Sequence, residues 1–125
     1  MYLIDTNIFL EILLKQDKSK DCKTFLDKNI GKLNISDFSL HSIGVILLRN
    51  NNENIFNKFI LDILPKLNLL SLPKPEYKEI INIKKKNKLD FDDSYQYSIC
   101  MNYKLTLITL DQDFKKVKGI AVQFV

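Results

Sequence analysis

Apolar residues fall along this chain in two rhythms: short runs that read as buried strands, and longer stretches repeating every three or four positions that read as helices. The run Tyr2-Leu3-Ile4 ends in Asp5-Thr6-Asn7, which predicts a short strand followed by helix-capping residues. Ile8, Phe9, Ile12 and Leu13 then recur at helical spacing. A second helix is predicted from Lys18 to Lys28, with Cys22, Phe25 and Leu26 inward and Gly31 ending it. Leu33-Asn34-Ile35 reads as a second strand, with Ser36 or Asp37 capping a largely buried helix that runs to about Asn50. Glu53 to Leu64 is an amphipathic helix stopped by Pro65, Leu69–Leu72 a third strand, and Pro75 to about Lys86 another helix. Asp90-Phe91-Asp92-Asp93 opens a helix whose acidic first turn suits the helix dipole and whose Tyr97, Ile99, Cys100 and Tyr103 face inward. Leu105–Thr109 is the strongest strand pattern, and Ile120–Phe124 reads as the last.

Five short strands separated mostly by helices predict an α/β fold, a three-layer α/β/α sandwich around a central five-stranded parallel sheet. At 125 residues, with no repeat, linker or low-complexity tract, the chain reads as one domain spanning 1–125. Right-handed crossovers restrict it to a few doubly wound arrangements, in which sites form beyond the carboxyl ends of the strands. Periodicity does not supply the strand order.

Composition narrows the chemistry. Hydrophobic residues make up 46% of the chain, with three Gly and three Pro, which fits a packed domain. No apolar run approaches the ~18 residues of a membrane span. Asp5 stands where a signal peptide would be basic and then apolar, so a cytoplasmic location is expected. Cys22 and Cys100 lack ligand spacing and His41 is the sole histidine, which argues against zinc; any metal would be a hard cation held by oxygen. A net charge of +4 fits a nucleic-acid partner without requiring one.

The acids carry more information. Asp5 ends the first strand, Asp37 follows the second, Asp93 lies in the first turn of the helix before Leu105–Thr109, and Asp111 follows that strand. Carboxylates gathered at corresponding ends of a parallel sheet repel one another and raise each other's pKa. Bound Mg²⁺ or Mn²⁺ removes that penalty, since both prefer carboxylate and water oxygens. Each aspartate alone is also a common helix cap, and Asp113 reads as a cap or a lysine partner.

Three segments, Asp5-Thr6-Asn7, Leu89-Asp90-Phe91-Asp92-Asp93-Ser94 and Leu107-Ile108-Thr109-Leu110-Asp111-Gln112-Asp113-Phe114, together resemble the PIN domain, including VapC-type toxins. Their order and spacing agree across nearly the whole chain. The resemblance implies a sheet of order 3-2-1-4-5 and a Mg²⁺- or Mn²⁺-dependent ribonuclease. It also implies an RNA substrate, and an antitoxin partner and homodimer as in toxin relatives. Carried over, Asp5, Asp93 and Asp111 are the metal-binding acids, with Asp92 able to exchange roles with Asp93 or fill a second position. Asn7 or Thr6 would orient Asp5, and Thr109 would support the water network of the site.

One position departs. The family usually carries Glu in the helix after the second strand, where this chain has Ser42, and the departure bears on catalytic competence rather than fold. Asp37 and His41, spaced i, i+4 on one helix face, are the available substitutes; the alternative is Asp37 as a cap with His41 as its partner. Ser42 also leaves open a catalytically weak or inactive module that binds RNA or a protein. Phosphotransfer receiver and haloacid-dehalogenase-like folds fit less well: the third strand ends without an acid, and Asp5-Thr6-Asn7 lacks the second acid after strand one. Lys84, Lys85, Lys86 and Lys88 precede Asp90 and would steer a phosphate backbone or simply solvate a helix end. Tyr95 and Tyr97 are candidates for base stacking, Tyr97 also for the core.

Overall fold

Alternation along the central strands decides the layering. In a computed structural model describing residues 1–125, strand β1 (Tyr2–Ile4) buries Leu3 on one face and Ile4 on the other, and β4 (Thr106–Thr109) does the same with Leu107 and Ile108. A strand buried on both faces requires helices on both, and two separate apolar cores result. One core joins Ile4, Ile35 and Ile108 to Ile8 and Phe9 of α1 (Thr6–Leu13), Cys22 and Leu26 of α2 (Ser19–Lys28), and Ile43 and Leu47 of α3 (Asp37–Arg49). The other joins Leu3 and Leu107 to Ile80 of α5 (Ile80–Asn87) and to Tyr95, Ile99 and Cys100 of α6 (Phe91–Tyr103).

The sheet is wholly parallel, in the order β3-β2-β1-β4-β5, with β2 at Leu33–Ser36, β3 at Asn68–Leu70 and β5 at Val122–Phe124. The expected three-layer sandwich and its 3-2-1-4-5 order are both present. No helix is long and apolar enough to cross a membrane.

Differences from expectation have local causes. β3 starts one residue early and ends at Leu70, because its partner β2 turns into α3 after Ser36; the Leu72 N–H is taken instead by the Tyr95 hydroxyl at 3.0 Å. The helix expected from Glu53 ends at Ile63, just before Pro65, but it is not α-helical throughout. Helix α4 (Glu53–Lys58) widens into a π turn at Phe59–Ile63, and Pro65 sits in the 3₁₀ turn Leu64–Lys66 that follows. The segment from Pro75 begins as a 3₁₀ turn (Lys74–Glu79) before α5. Tyr103 is 39% exposed rather than packed inward, its hydroxyl donating to the Ser71 carbonyl at 2.9 Å. Tyr97 is core, and its hydroxyl reaches the Lys118 carbonyl at 2.7 Å.

β1 and β4 are central neighbours, paired Ile4 to Ile108, so the chain leaves both at the same edge. That register brings Asp5 beside Thr109 although they lie 104 residues apart.

Candidate metal centre

Asp5 is buried, and burial pushes its carboxyl up from the ordinary range, opposed by hydrogen bonds from Gln96, Thr109 and Thr6 and reinforced by the Asp111 charge. Its Oδ1 accepts from the Thr6 backbone N–H (2.9 Å) and Gln96 Nε2 (3.1 Å), and its Oδ2 from Thr109 Oγ1 (2.7 Å). One acceptor position on Oδ2 stays open.

Thr109 is the joint of the site. Its hydroxyl donates to Asp5 and accepts from the Asp111 N–H at 2.9 Å and from Asn7 Nδ2 at 3.4 Å. Asn7 Oδ1 takes the Leu110 N–H at 3.2 Å, so Asn7 clamps the end of β4 and reaches Asp5 only through Thr109. Of the two residues expected to orient Asp5, Thr6 touches it directly, through its backbone N–H, while its hydroxyl donates to Ser39 Oγ at 2.8 Å.

Asp111 caps the 3₁₀ turn Gln112–Lys116. Asp90 caps α6 by accepting the Asp93 N–H at 2.8 Å, which sets Asp93 in the first turn and aims it at the same edge. Asp93, Asp111 and Asp113 each offer a carboxylate oxygen, and these lie within 4.8 Å of one another. Asp113, expected as a cap or lysine partner, belongs to this group. The cleft they form is also lined by Asp5, Asp90, Asp92 and Ser42. The protein's one ion pair, Lys23–Asp27, lies elsewhere, so no cation offsets these acids. An all-carboxylate donor set, without His or Cys, fits a hard divalent cation.

Burial, then repulsion from Asp90, Asp111, Asp5 and Asp113, pushes the Asp93 carboxyl up to about 7. The folded protein therefore holds that proton more tightly than the unfolded chain, whose carboxyl titrates near 3.8. This contribution to stability is full below that value and is lost as pH rises through about 7. Asp93→Asn is expected to stabilise the metal-free protein at pH 8 by about 1 kcal/mol, after discounting for solvent screening, and to change little near pH 4. Thermal melts of both proteins in EDTA check this; equal differences at the two pH values would contradict it.

Asp37 is not brought to the cleft. Ser36, not Asp37, caps α3, accepting the Ser39 N–H at 3.1 Å. Asp37 then lies about 140° around the helix from Ser42, at 100° per residue. Its Oδ1 accepts from the Phe38 N–H (2.8 Å) and the Tyr95 hydroxyl (2.7 Å), and it shares a second cavity with His41. The shared helix face predicted for Asp37 and His41 is present, but it lies beside the acids rather than among them. Ser42, at the departing position, does line the acidic cleft.

Gln96 was not singled out from the sequence. It is 1% exposed, donates to Asp5 Oδ1 and to Ser39 Oγ (2.9 Å), and accepts from Ser36 Oγ (2.7 Å). The available signal was an amide one helical turn after Asp93 among residues that must be buried. Lys84, Lys85, Lys86 and Lys88 are exposed at the end of α5.

No curated protein sequence matches the chain. Among solved structures, VapBC2 from Rickettsia felis bound to a promoter DNA fragment superposes with a TM-score of 0.80 at 17% identity, covering 99% of this chain and 98% of that one. FitAcB from Neisseria gonorrhoeae gives 0.76 at 24% identity, covering 98% and 96%. VapC20 from Mycobacterium tuberculosis, described as a sarcin–ricin loop cleaving toxin, gives 0.80 at 12% identity, covering 98% and 99%. These likenesses establish the fold. The PIN domain model matches residues 2–120, and with the sheet order and the acidic edge it shows that this chain belongs to the PIN domain family.

Proposed function

We propose that this protein is a Mg²⁺- or Mn²⁺-dependent endoribonuclease of the VapC kind, the toxin of a toxin–antitoxin pair acting in the cytoplasm. The observation that carries the reading is the uncompensated convergence of Asp93, Asp111 and Asp113 beside a buried, fully oriented Asp5 in a PIN fold. Several structural neighbours are toxin–antitoxin complexes, which supports an antitoxin partner; a homodimer is expected from the toxin relatives.

A divalent ion held by these carboxylates supplies Lewis acidity toward a phosphate oxygen and lowers the pKa of water. The chain supplies position. Asp93 and Asp111 offer oxygens from two elements, Asp113 adds a third, and Asp5 presents the open side of Oδ2. Thr109 and Gln96 keep Asp5 from rotating, and the exposed lysines at the end of α5 attract the phosphate backbone. In the net reaction water adds to phosphorus and the bond to the 3′-oxygen breaks, leaving a 5′-phosphate and a 3′-hydroxyl. Incubating the purified protein with end-labelled RNA in Mg²⁺, in Mn²⁺ and in EDTA tests the reading. Cleavage confined to the metal-containing reactions supports it; cleavage unaffected by EDTA overturns it.

The second reading, a weakly active or inactive module that binds RNA or a protein, is favoured by Ser42, which brings a hydroxyl where the family usually brings a carboxylate. Ser42→Glu is expected to raise Mn²⁺ affinity and cleavage rate about tenfold, one added charge–metal contact at roughly 1.4 kcal/mol. A wild type inert on RNA but bound to it, with activity gained by Ser42→Glu, would select the second reading.

A further inference from the structure

Beside the acidic cleft lies a second cavity of about 240 Å³, and Phe38 forms a wall of both. We propose that it seats one nucleobase of the RNA strand, and that Asp37 selects a base carrying an exocyclic amino group. The inference rests on the ribonuclease reading above.

Tyr95 is the floor. The rings of Tyr77, Phe38 and Phe91 stand around it at centroid distances of 5.9, 6.3 and 6.5 Å. Phe91 is 50% exposed and Tyr77 46%, so each presents part of its ring to solvent beside the buried Tyr95. Open aromatic faces of this kind stack on any base. Asp37 contributes direction. Its Oδ1 already accepts two hydrogen bonds, from Phe38 and Tyr95, which hold the carboxylate at the cavity wall. Its Oδ2 has no protein partner and can accept only from a donor, such as the amino group of adenine, cytosine or guanine. Uracil has no exocyclic amino group; its one ring donor, N3–H, is flanked by two carbonyl oxygens that a carboxylate repels.

Position ties the cavity to cleavage. Phe91 is flanked in sequence by Asp90 and Asp92, with Asp93 next, so a base on Phe91 belongs to a nucleotide whose phosphate lies near the acids. The free acceptor on Asp37, an acid the metal site does not use, is the feature that favours a nucleobase over a plain apolar partner.

The test uses a randomised single-stranded RNA decamer pool in Mn²⁺ with the full-length protein, Phe91→Ala and Asp37→Asn, reading cleavage efficiency and the base profile around each cut. Binding of the same RNA in Ca²⁺ is read by fluorescence anisotropy. Phe91→Ala is expected to weaken RNA binding about tenfold, as for loss of one base stack. Asp37→Asn is expected to lose discrimination against uracil at one position near the cut while rates on uracil-containing sites hold. If wild type cleaves and both variants keep its efficiency and base profile, the base-seating proposal is overturned and the nuclease reading stands. If wild type does not cleave, the nuclease reading falls, and anisotropy decides the cavity: weaker binding by Phe91→Ala upholds it, and equal or no binding overturns it.

Discussion

Replacing Asp5 by Asn is expected to abolish RNA cleavage, lowering the rate at least about 10³-fold, while leaving the protein folded. A carboxylate and a carboxamide have nearly the same shape, and the amide oxygen can still accept from Thr6 and Gln96. What is lost is the negative charge facing Asp93 and Asp111, and with it the affinity of the cleft for a divalent ion. Removing a charge that burial already disfavours offsets part of the disturbed hydrogen bond to Thr109, so the melting temperature should move by only a few degrees. Asp5→Ala differs, because it leaves the Gln96 and Thr109 donors unpaired at about 1–3 kcal/mol each. Metal-dependent cleavage that persists in Asp5→Asn would remove the basis of the nuclease assignment.

Gln96→Leu is expected to damage both stability and catalysis although it leaves every acid of the cleft in place. Every buried polar side-chain atom in the protein has a partner, and Gln96 serves three of them. Leucine fills the space but leaves the Ser36 hydroxyl and one side of Asp5 short of partners, a cost of about 2–3 kcal/mol. For a chain of this size that corresponds to a fall in melting temperature of roughly 6–15 °C. Asp5, held then by Thr109 and Thr6 alone, gains freedom to turn, and the turnover rate should fall about 10²-fold, the scale for a misplaced group in an active site. Since Gln96 is buried and does not line the acidic cleft, KM should hold. Equal loss in kcat and KM, or an unchanged kcat at a temperature where the variant is folded, would reduce Gln96 to a packing residue.

Much of this molecule was legible in one dimension because its strands are buried on both faces and its helices repeat at their own period. Leu3 and Ile4, or Leu107 and Ile108, announce a two-sided sheet from adjacent positions, since neighbours on a strand point opposite ways. Asp5 and Asp111 were readable because each follows a strand directly, and in a parallel sheet every such end lies at one edge. Strand-end position alone misled for Asp37. With Ser36 as the cap, the rotation of the helix puts Asp37 at Tyr95 and Ser42 at the cleft. The sequence by itself determined the two-sided sheet and the acids at the ends of β1 and β4. Only the tertiary structure decided that Asp113 joins Asp93 and Asp111, that Gln96 and Thr109 hold Asp5, and that Asp37 faces a different cavity. Those outcomes depend on distances and side-chain directions between segments up to 104 residues apart, which packing alone brings together.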